Sequence, residues 1–528
     1  MFRIIVCLFA AALLYSCQPG NEKQATASQP AYDSSYQPAV FTDADRLARI
    51  SQLFPAVDSM YRGFAEKNHF PAIAFGIVAD GKLVYKNAYG HTDIDKKTVA
   101  STASLFRIAS MTKSFTAMAI LSLRDAGKLH LDDPVSKYIP EMGGQKYPTL
   151  DAAPITIRHL LTHGGGFPED NPWGDRQLAD SDKELMDFLK NSITFSNPPG
   201  QEYEYSNLGF ALLGKIITTA SGMPYQEYIR KHIWQPLGMH HSEWEYTKIA
   251  PDKLAHGYRW LNEKWNEEAL LPDTPDGSWG AMGSMITSID EFANYMALHL
   301  NAWPPSNAEE SGPLKRSSVR EMHYPWRING FNPAFKYPDG RTCGTISAYG
   351  YGLGWMQDCE GREYIAHSGG LPGFGSQWRI LPDYGIGVVA FANRTYAPIG
   401  SINIHVLDTL IKGAGLQPRQ LPASAILQKR QQELMAMLPD WKNAESSGLF
   451  AENFFPDNPI DSLRKQAQAL FAKAGKIISV KEMKAQNQLR GTFRVEGEKA
   501  TLEIYFTLSP ENPPLIQQYA IREVVKGK

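Results

Sequence analysis

Apolar residues recur along this chain with two periodicities, one typical of helices and one typical of strands. Apolar positions at helical spacing after Asp43 predict an amphipathic helix, and the apolar run 72–78 predicts a strand. Asp80-Gly81 then forms a strong turn signal, so residues 83–85 are predicted to return as the second strand of a hairpin. The apolar run that begins near Phe106 predicts a buried helix directly after this hairpin.

The middle of the chain has a helical pattern, and strand signals return late. Residues from about 120 to 325 are mostly helical with long loops, and Ser288 with Glu291 predicts a capping box at one helix start. Strands are predicted at 351–355, 364–367, 377–381 and 387–391, followed by a helix over 401–411. Early and late strands around a helical insertion most simply form one antiparallel sheet with helices on its faces, which makes the fold class α+β.

The composition shifts past Gly415. Two charged helical patterns, 426–438 and 461–474, precede strand patterns at 476–480, 489–495 and 500–506. We therefore predict a small C-terminal α+β domain, in which no residue cluster suggests chemistry. The predicted organisation is a signal peptide at 1–17, a flexible tether at 18–42, a main domain at 43–414 and the small domain at 415–528.

Composition excludes several classes of function. The chain has 528 residues, 43% of them hydrophobic, and a formal net charge of -2. There is no broad basic surface for nucleic acid. The 13 histidines are scattered, and neither a His-Glu-x-x-His nor a Cys-x-x-Cys run is present. We therefore predict no metal site and no cofactor.

The N-terminus has the pattern of a targeting segment. Arg3 precedes an apolar run at 4–14, which is too short to span a bilayer and stops just before Cys17. The end of this run resembles a bacterial lipoprotein box, in which Cys17 would carry a lipid anchor. An ordinary cleaved secretory signal is the alternative, and both predict export to the periplasm or cell surface. Cys343 and Cys359 would then meet an oxidising compartment, either as a disulfide or as two free thiols.

Ser110-x-x-Lys113 is the stretch with the clearest chemistry. Residues three apart share a helix face, so the hydroxyl and the amine would point into the same space. A hydroxyl is a poor nucleophile until a base takes its proton, and an amine in an apolar pocket can lose its own. The spacing therefore predicts covalent acyl-transfer chemistry. A second match, Ser462-x-x-Lys465, lies in a charged helical pattern and is interpreted as a chance occurrence.

Two further motifs supply partners for Ser110. Tyr205-x-Asn207 is predicted on a loop that leads into an apolar helix, and His367-Ser368-Gly369-Gly370 ends a predicted strand. Look-alikes of both motifs occur in other settings, in the returning hairpin strand (85–87) and after a helix (His163). Arg379, on the next predicted strand, could reach the cleft, but a surface role is favoured.

Ser-x-x-Lys, Tyr-x-Asn and His-x-Gly in this order resemble the motifs of the serine β-lactamase and penicillin-binding-protein superfamily. Tyr-x-Asn is typical of the branch with class C β-lactamases, DD-carboxypeptidases, D-aminopeptidases and esterases. The resemblance covers residues 45–413 and not the C-terminal domain. It implies a β-lactamase/transpeptidase-like antiparallel sheet flanked by helices, with a helical insertion.

The resemblance also implies roles for the motif residues. Ser110 would be the nucleophile that forms an acyl-enzyme, and its N–H with that of Gly370 would form the oxyanion hole. Lys113 and Tyr205 would move protons, and which of them is the base stays open. Asn207 would hold Lys113 and donate to a substrate carbonyl.

The third motif would line the substrate side of the site. His367 and Gly369 would belong to the binding strand, and Ser368 would help bind a carboxylate. His367 stands where β-lactamases carry lysine, and histidine is mostly uncharged at neutral pH. We therefore expect the carboxylate of a β-lactam to bind less well here.

The expected function is a secreted or lipid-anchored serine hydrolase that acts on amide or ester bonds through a Ser110 acyl-enzyme, with D-amino-acid peptides or small esters as the favoured substrates. Its partners would be a small-molecule or peptide substrate, with peptidoglycan among the possibilities, and a membrane through the lipid anchor; nucleic acid is not expected. A class C-like β-lactamase is one alternative. A non-catalytic protein that binds penicillin or peptidoglycan is the other.

Overall fold

The computed structural model describes residues 32–171, 173–272, 277–337 and 339–524. The chain divides into two units, residues 1–36 and residues 37–528. The predicted signal peptide with Cys17, and residues 18–31 of the predicted tether, lie outside the described residues. Within the described residues, no helix is both long enough and apolar enough to cross a membrane.

The helices of the second unit are numbered in chain order. They are α1 (Arg46–Ser51), α2 (Phe54–Lys67), α3 (Thr112–Asp125), α4 (Ile157–Leu161), α5 (Asp182–Lys190), α6 (Asn207–Ser221), α7 (Tyr225–Ile229), α8 (Ile289–Asn301), α9 (Arg316–Met322), α10 (Ile399–Gly413), α11 (Ala425–Met437), α12 (Phe454–Asp457) and α13 (Ile460–Ala474).

The strands are numbered in the same way. They are β1 (Ala72–Ala79), β2 (Lys82–Asp93), β3 (Thr98–Val99), β4 (Phe106–Arg107), β5 (Gly257–Leu261), β6 (Lys264–Glu268), β7 (Ile286–Thr287), β8 (Arg327–Asn332), β9 (Thr345–Tyr349), β10 (Gly354–Asp358), β11 (Glu363–Leu371), β12 (Phe374–Leu381), β13 (Ile386–Ala392), β14 (Ile477–Val480), β15 (Lys484–Asn487), β16 (Arg490–Gly497), β17 (Thr501–Leu508) and β18 (Ile516–Glu523).

The main sheet has nine strands in the order β3-β2-β1-β13-β12-β11-β10-β9-β8. Early and late strands meet where β1 pairs antiparallel with β13. The predicted hairpin is confirmed as β1 and β2, and the four predicted late strands form β10 to β13. The fold class predicted from the sequence is therefore confirmed: an α+β fold with a large antiparallel sheet flanked by helices.

Both faces of this sheet are covered, which explains why every residue of β1 is buried. Alternate side chains of a strand point to opposite faces. Ile73 and Phe75 pack with residues of α1, α2 and α10, whereas Ala72 and Ala74 belong to the larger apolar cluster that includes α3, α6 and α8. The helical insertion therefore packs on the same face of the sheet as α3, which carries Lys113 and begins directly after Ser110.

Some local details differ from the sequence-based predictions. Ser288 caps α8 by accepting from the Glu291 N–H, but the Glu291 carboxylate accepts hydrogen bonds from Ser242 and His241 instead of completing a capping box. The insertion also contains a small hairpin, β5 and β6, that the helical pattern did not predict.

The C-terminal region forms its own five-stranded sheet, in which β14 and β15 both pair with β16, followed by β17 and β18. Residues from α11 to α13 pack with this sheet in a separate apolar cluster. The predicted helices and meander are present, and β15 and β18 are additional. The predicted boundary at residue 414 lies within the unit 37–528, so it stays a prediction.

Candidate active site

Ser110 and Lys113 lie at the start of α3. Ser110 belongs to a short 3-10 turn, Ala109–Met111, that leads directly into the helix. Lys113 is fully buried, and its Nζ lies 3.1 Å from Ser110 Oγ, 2.7 Å from Asn207 Oδ1 and 2.8 Å from the Met282 carbonyl oxygen. Ser110 itself is partly exposed to the cleft.

A protonated Lys113 donates to all three of these oxygens, and only its neutral form can accept a hydrogen bond from Ser110. Burial lowers the pKa of Lys113 from 10.5 to about 7, against the opposing charges of Asp170 and Asp175. A neutral amine has two N–H groups and one lone pair. The carbonyl oxygens of Asn207 and Met282 can only accept, so they take both N–H groups. The lone pair is then left for the Ser110 hydroxyl, which is the arrangement of a general base.

Tyr205 hydrogen-bonds to Ser110 from the other side of the cleft. Burial raises the pKa of Tyr205 well above its ordinary value, and the hydrogen bond to Ser110 only partly offsets this. Lys113 Nζ lies 4.9 Å from the centre of the Tyr205 ring. Tyr205 is therefore protonated at neutral pH and is placed to donate a proton rather than to remove one.

Asn207 is fully buried at the head of α6, not on the loop that the sequence predicted. Its side chain links two neighbours, because Oδ1 accepts from Lys113 and Nδ2 donates to Asn171 Oδ1 at 2.6 Å. The structure thus places Asn207 where it holds Lys113. The amide that faces the cavity is Asn171, which the sequence analysis did not single out.

Asp170 fixes the Tyr205–Asn207 segment and was also missed. Its carboxylate accepts from the backbone N–H groups of Asn207 at 2.6 Å and Leu208 at 2.8 Å, and from the Ser206 hydroxyl. Backbone donors at a helix start have no partner within the helix, so this carboxylate satisfies them. A single aspartate in an irregular loop gives no periodic signal by which it could have been found.

His367 lies on β11 with both ring nitrogens hydrogen-bonded. Nδ1 lies 2.6 Å from the Ser368 carbonyl oxygen, which can only accept, so Nδ1 carries the proton. Nε2 then accepts from the Tyr349 hydroxyl at 2.7 Å. Burial and the charge of Lys113 lower the pKa of His367 to about 3, so it is neutral at pH 7. This matches the expectation that position 367 holds no charge.

The glycines after His367 allow β11 to approach the Ser110 turn. A Cβ at Gly369 would lie 2.0 Å from the Ile108 carbonyl oxygen, and one at Gly370 would lie 2.8 Å from the Tyr396 ring. The Ser376 hydroxyl donates to the same Ile108 oxygen at 2.8 Å. Only glycine fits at position 369, so this residue sets the distance between the strand and the nucleophile. Ser368 lines the cavity.

His163, set aside as a look-alike, lies behind Tyr205. It is buried, its ring centre lies 4.3 Å from that of Tyr205, and its Nδ1 accepts from the Ser206 N–H at 3.1 Å. Burial and the charge of Lys113 keep the pKa of His163 well below its ordinary value. It supports the Tyr205 segment from beneath and does not line the cavity.

One cavity of about 710 Å³ joins these groups. Its walls include Ser110, Tyr205 and the segment 367–370, so the structure brings together the three motifs that lie far apart in the chain. Asp175 and Arg379 also line it. The surface role that the sequence analysis favoured for Arg379 is wrong, and the alternative in the cleft is right, because β12 lies directly beside β11 and carries Arg379 to the cavity wall.

The cysteine pair and the second Ser-x-x-Lys match lie outside this cavity. The structure joins Cys343 and Cys359 in a disulfide with Cα atoms 5.4 Å apart. Among the described residues there is no group of three or more histidine, cysteine, aspartate or glutamate side chains arranged to hold a metal ion. Ser462 and Lys465 are both exposed on α13, far along the chain in the C-terminal region.

The chain is similar to several known proteins. Residues 57–409 match the Beta-lactamase family model. Protein flp of Staphylococcus aureus (strain MW2) is 31% identical over 353 residues, which are 65% of this chain and 64% of that protein. Penicillin-binding protein 4* of Bacillus subtilis (strain 168) is 26% identical over 355 residues, which are 64% of this chain and 71% of that protein. The chain therefore spans less than two thirds of the length of protein flp.

Two solved structures have the same fold. The octameric penicillin-binding protein homologue from Pyrococcus abyssi has a TM-score of 0.56 and 23% identity, covering 89% of this chain and 96% of its own. A penicillin-binding protein from Bacillus halodurans has a TM-score of 0.51 and 23% identity, covering 66% of this chain and 98% of its own. Since the family model matches well over half of the residues, the chain belongs to the beta-lactamase family, within the superfamily of serine β-lactamases and penicillin-binding proteins.

Proposed function

We propose that this protein is an exported serine hydrolase that cleaves amide or ester bonds through an acyl-enzyme on Ser110. D-amino-acid peptides and small esters are the favoured substrates. The observation that supports this most directly is the environment of Lys113: its Nζ contacts two carbonyl oxygens and Ser110 Oγ, so the neutral amine has a lone pair left for the Ser110 hydroxyl. A protein that only bound a ligand would not need this arrangement.

The proposed reaction has two halves. Lys113 takes the Ser110 proton as Oγ attacks the substrate carbonyl, and the negative oxygen is held by the N–H groups of Ser110 and Gly370. Tyr205 passes a proton to the leaving group as the bond to it breaks, which leaves the acyl-enzyme. The Lys113 ammonium then returns its proton to the Tyr205 phenolate, so that the base is neutral again. Water attacks the ester and loses a proton to Lys113, the acid is released, and that proton returns to Ser110 Oγ.

His367 supports a peptidase or esterase over a β-lactamase. A neutral imidazole, engaged by Tyr349 and the Ser368 carbonyl, cannot attract a β-lactam carboxylate as a lysine would. Two alternatives remain for the substrate test below to distinguish: a class C-like β-lactamase and a non-catalytic penicillin- or peptidoglycan-binding protein.

The export and anchoring part of the proposal rests on the sequence alone. The apolar run 4–14 ends just before Cys17, which would carry the lipid. Metabolic labelling with a radioactive or alkyne-bearing fatty acid should mark the wild-type protein and not Cys17→Ser. Labelling that is equal in the two would exclude Cys17 as the anchor.

The nucleophile is tested with a fluorophosphonate probe. We expect it to label the wild type and to leave Ser110→Ala unlabelled. Ser462→Ala is a matched control, because Ser462 sits in the same Ser-x-x-Lys pattern but is exposed on α13. This control should label like the wild type. Labelling of Ser110→Ala at the wild-type rate would exclude Ser110.

The substrate class is tested with three chromogenic compounds: a small ester, a D-Ala-D-Ala peptide and a cephalosporin. We expect kcat/KM for the ester or the D-peptide to exceed that for the cephalosporin. The opposite order would identify a β-lactamase. Labelling at Ser110 without turnover of any of the three would identify a binding protein.

A further inference from the structure

Arg379 is a cation in the cavity wall that this chain leaves without a counter-charge. It lies on β12 and lines the same cavity as Ser110. Within the described residues its guanidinium makes no ion pair and no hydrogen bond, and its buried Nε has no partner. The contact that remains is with the Tyr364 ring, whose centre lies 5.6 Å from Cζ. Burial lowers the pKa of Arg379 accordingly.

Other arginines in this part of the chain have carboxylate partners. Arg362 pairs with Asp358 at 2.8 Å, and Arg341 pairs with Asp408 at 2.9 Å. Both pairs lie near the strands that flank Arg379, so carboxylates are common in this region of the chain. A partly buried guanidinium without a partner costs stability. This cost has an explanation if a ligand supplies the missing negative charge.

Side chains beside Arg379 add hydrogen-bonding capacity. In the β11–β12 register, Gln377 lies opposite Ser368 and Arg379 lies opposite Ala366, which places Gln377 and Arg379 on one face. Gln377 is almost fully buried, and its Nε2 donates to Ser368 Oγ at 3.1 Å. The Ser368 hydroxyl accepts this bond, so its own proton is left to donate to a ligand.

The cavity also carries negative charge on another wall. Asp175 is buried, accepts from the Tyr396 hydroxyl at 3.0 Å, and lines the cavity with it. An anion in the cavity is therefore repelled by Asp175 and attracted by Arg379. This polarity gives a bound molecule one preferred orientation, with its negative end toward β12.

Arg379 lies some distance along the sheet from the reacting centre. Gly370 is the proposed oxyanion donor, and Ala366, which pairs with Arg379, comes four residues earlier on the same strand. At about 3.3 Å per residue, this is a backbone separation of about 13 Å. Along β11, the backbone of Arg379 is therefore set back from the bond that is cleaved by two residues more than the backbone of Ser368.

We propose that Arg379 forms an anion-binding subsite, with the Ser368 hydroxyl beside it, that selects substrates carrying a carboxylate set back from the scissile bond. The inference rests on the proposed function and narrows its substrate class to anionic peptides or esters. Arg379 would act by binding and orienting the substrate rather than by moving a proton.

The first test measures binding without turnover. Succinate, glutarate and adipate, with glutaramide as the uncharged analogue, are titrated by calorimetry at constant ionic strength. We expect at least one dicarboxylate, but not the diamide, to bind the wild type and Ser110→Ala with similar affinity. Its Kd should rise at least tenfold in Arg379→Gln and less in Arg379→Lys. Arg522→Gln, an exposed arginine of β18, is the control and should bind as the wild type does.

Two results would overturn the subsite. One is that none of the dicarboxylates binds the wild type. The other is that Arg379→Gln binds them as tightly as the wild type. Thermal unfolding of Arg379→Gln tests whether Arg379 has a structural role instead. Removing an unpaired buried charge should leave Tm equal or higher, whereas a lower Tm would mean that Arg379 supports the fold.

The second test measures preference during turnover. The p-nitrophenyl hemiester of glutaric acid is compared with its carboxamide analogue. The ratio of their kcat/KM values should fall at least tenfold in Arg379→Gln, mainly through a higher KM for the hemiester. An unchanged ratio contradicts the inference. If the wild type hydrolyses neither ester, the proposed function fails, and the binding experiment still decides the subsite.

Discussion

The pH dependence of Ser110 acylation follows directly from the environment of Lys113. Burial places the pKa of this amine at about 7, and only its neutral form can take the Ser110 proton. The neutral fraction is about one half at pH 7 and about one hundredth at pH 5. We therefore expect the second-order rate constant of acylation to fall about 50-fold between pH 7 and pH 5 and to level off above pH 8.

This experiment also decides between the two possible bases. The pKa of Tyr205 is raised well above its ordinary value of 10.0, so a reaction that needed the tyrosinate would keep accelerating beyond pH 10. The assay is the rate of fluorophosphonate labelling in constant-ionic-strength buffers, with Ser110→Ala as the blank. A rate constant that is flat from pH 5 to pH 8, or that rises only above pH 10, would refute the assignment of Lys113 as base.

The lowered pKa of Lys113 should also make the stability of the fold depend on pH. An unfolded chain binds a proton at Lys113 up to about pH 10.5, whereas the folded protein releases it near pH 7. The unfolded state thus binds more protons between these values, and the free energy of unfolding should rise with pH there. The contribution is about 2 kcal/mol from pH 7 to pH 9 and should be missing in Lys113→Met. A difference between the two proteins that does not change with pH would contradict this.

Three further predictions concern the supports of the site. Gly369→Ala should slow labelling at least tenfold, since a Cβ there meets the Ile108 carbonyl at 2.0 Å, whereas Gly63→Ala, with open space around it, should label normally. Asp170→Asn should lower the free energy of unfolding by roughly 2 kcal/mol in urea and slow labelling, because one buried N–H at the start of α6 loses its acceptor; equal stability would contradict this. Replacing Cys343 and Cys359 by serine should cost roughly 3 kcal/mol by the same measurement, since the disulfide closes a loop across a separation of 16 residues, and labelling should persist.

Much of the fold was predictable because its strands carry local signals. The Asp80-Gly81 turn fixed the first hairpin, and the late strands are bounded by turn residues. By contrast, the edge strand β8 and its neighbour β9 lie in an irregular, glycine- and proline-containing stretch with exposed apolar residues, such as Phe331 and Ile346. Pairing with β10 holds β9, and pairing with β9 holds β8, so neither strand needs a hydrophobic period of its own.

The site was predictable where the order of the motifs indicated it. One cavity is lined by Ser110, Tyr205 and the segment 367–370, and Lys113 contacts Ser110, as expected. The supports could not be predicted, because they are single residues in loops or backbone atoms. Asp170 and the Met282 carbonyl have no sequence pattern, and they complete the surroundings of Lys113 and α6 only after the chain folds.

Arg379 and His163 show two different limits of sequence interpretation. A surface role was favoured for Arg379 over one in the cleft because a strand's period does not tell which of its faces borders a cavity. His163 follows a helix, as the sequence indicated, yet the left-handed backbone there, with φ of 53°, turns the ring beneath Tyr205. Both positions depend on contacts between distant segments.

The central claim is that Ser110 forms a covalent acyl-enzyme. The most direct measurement is the intact mass of the protein during turnover of a small ester, followed by peptide mapping after acid quench. The account predicts an added mass equal to one acyl group on the peptide that contains Ser110, and no added mass in Ser110→Ala. Turnover of the ester at the wild-type rate by Ser110→Ala, or an acyl group mapped to any other residue, would contradict it.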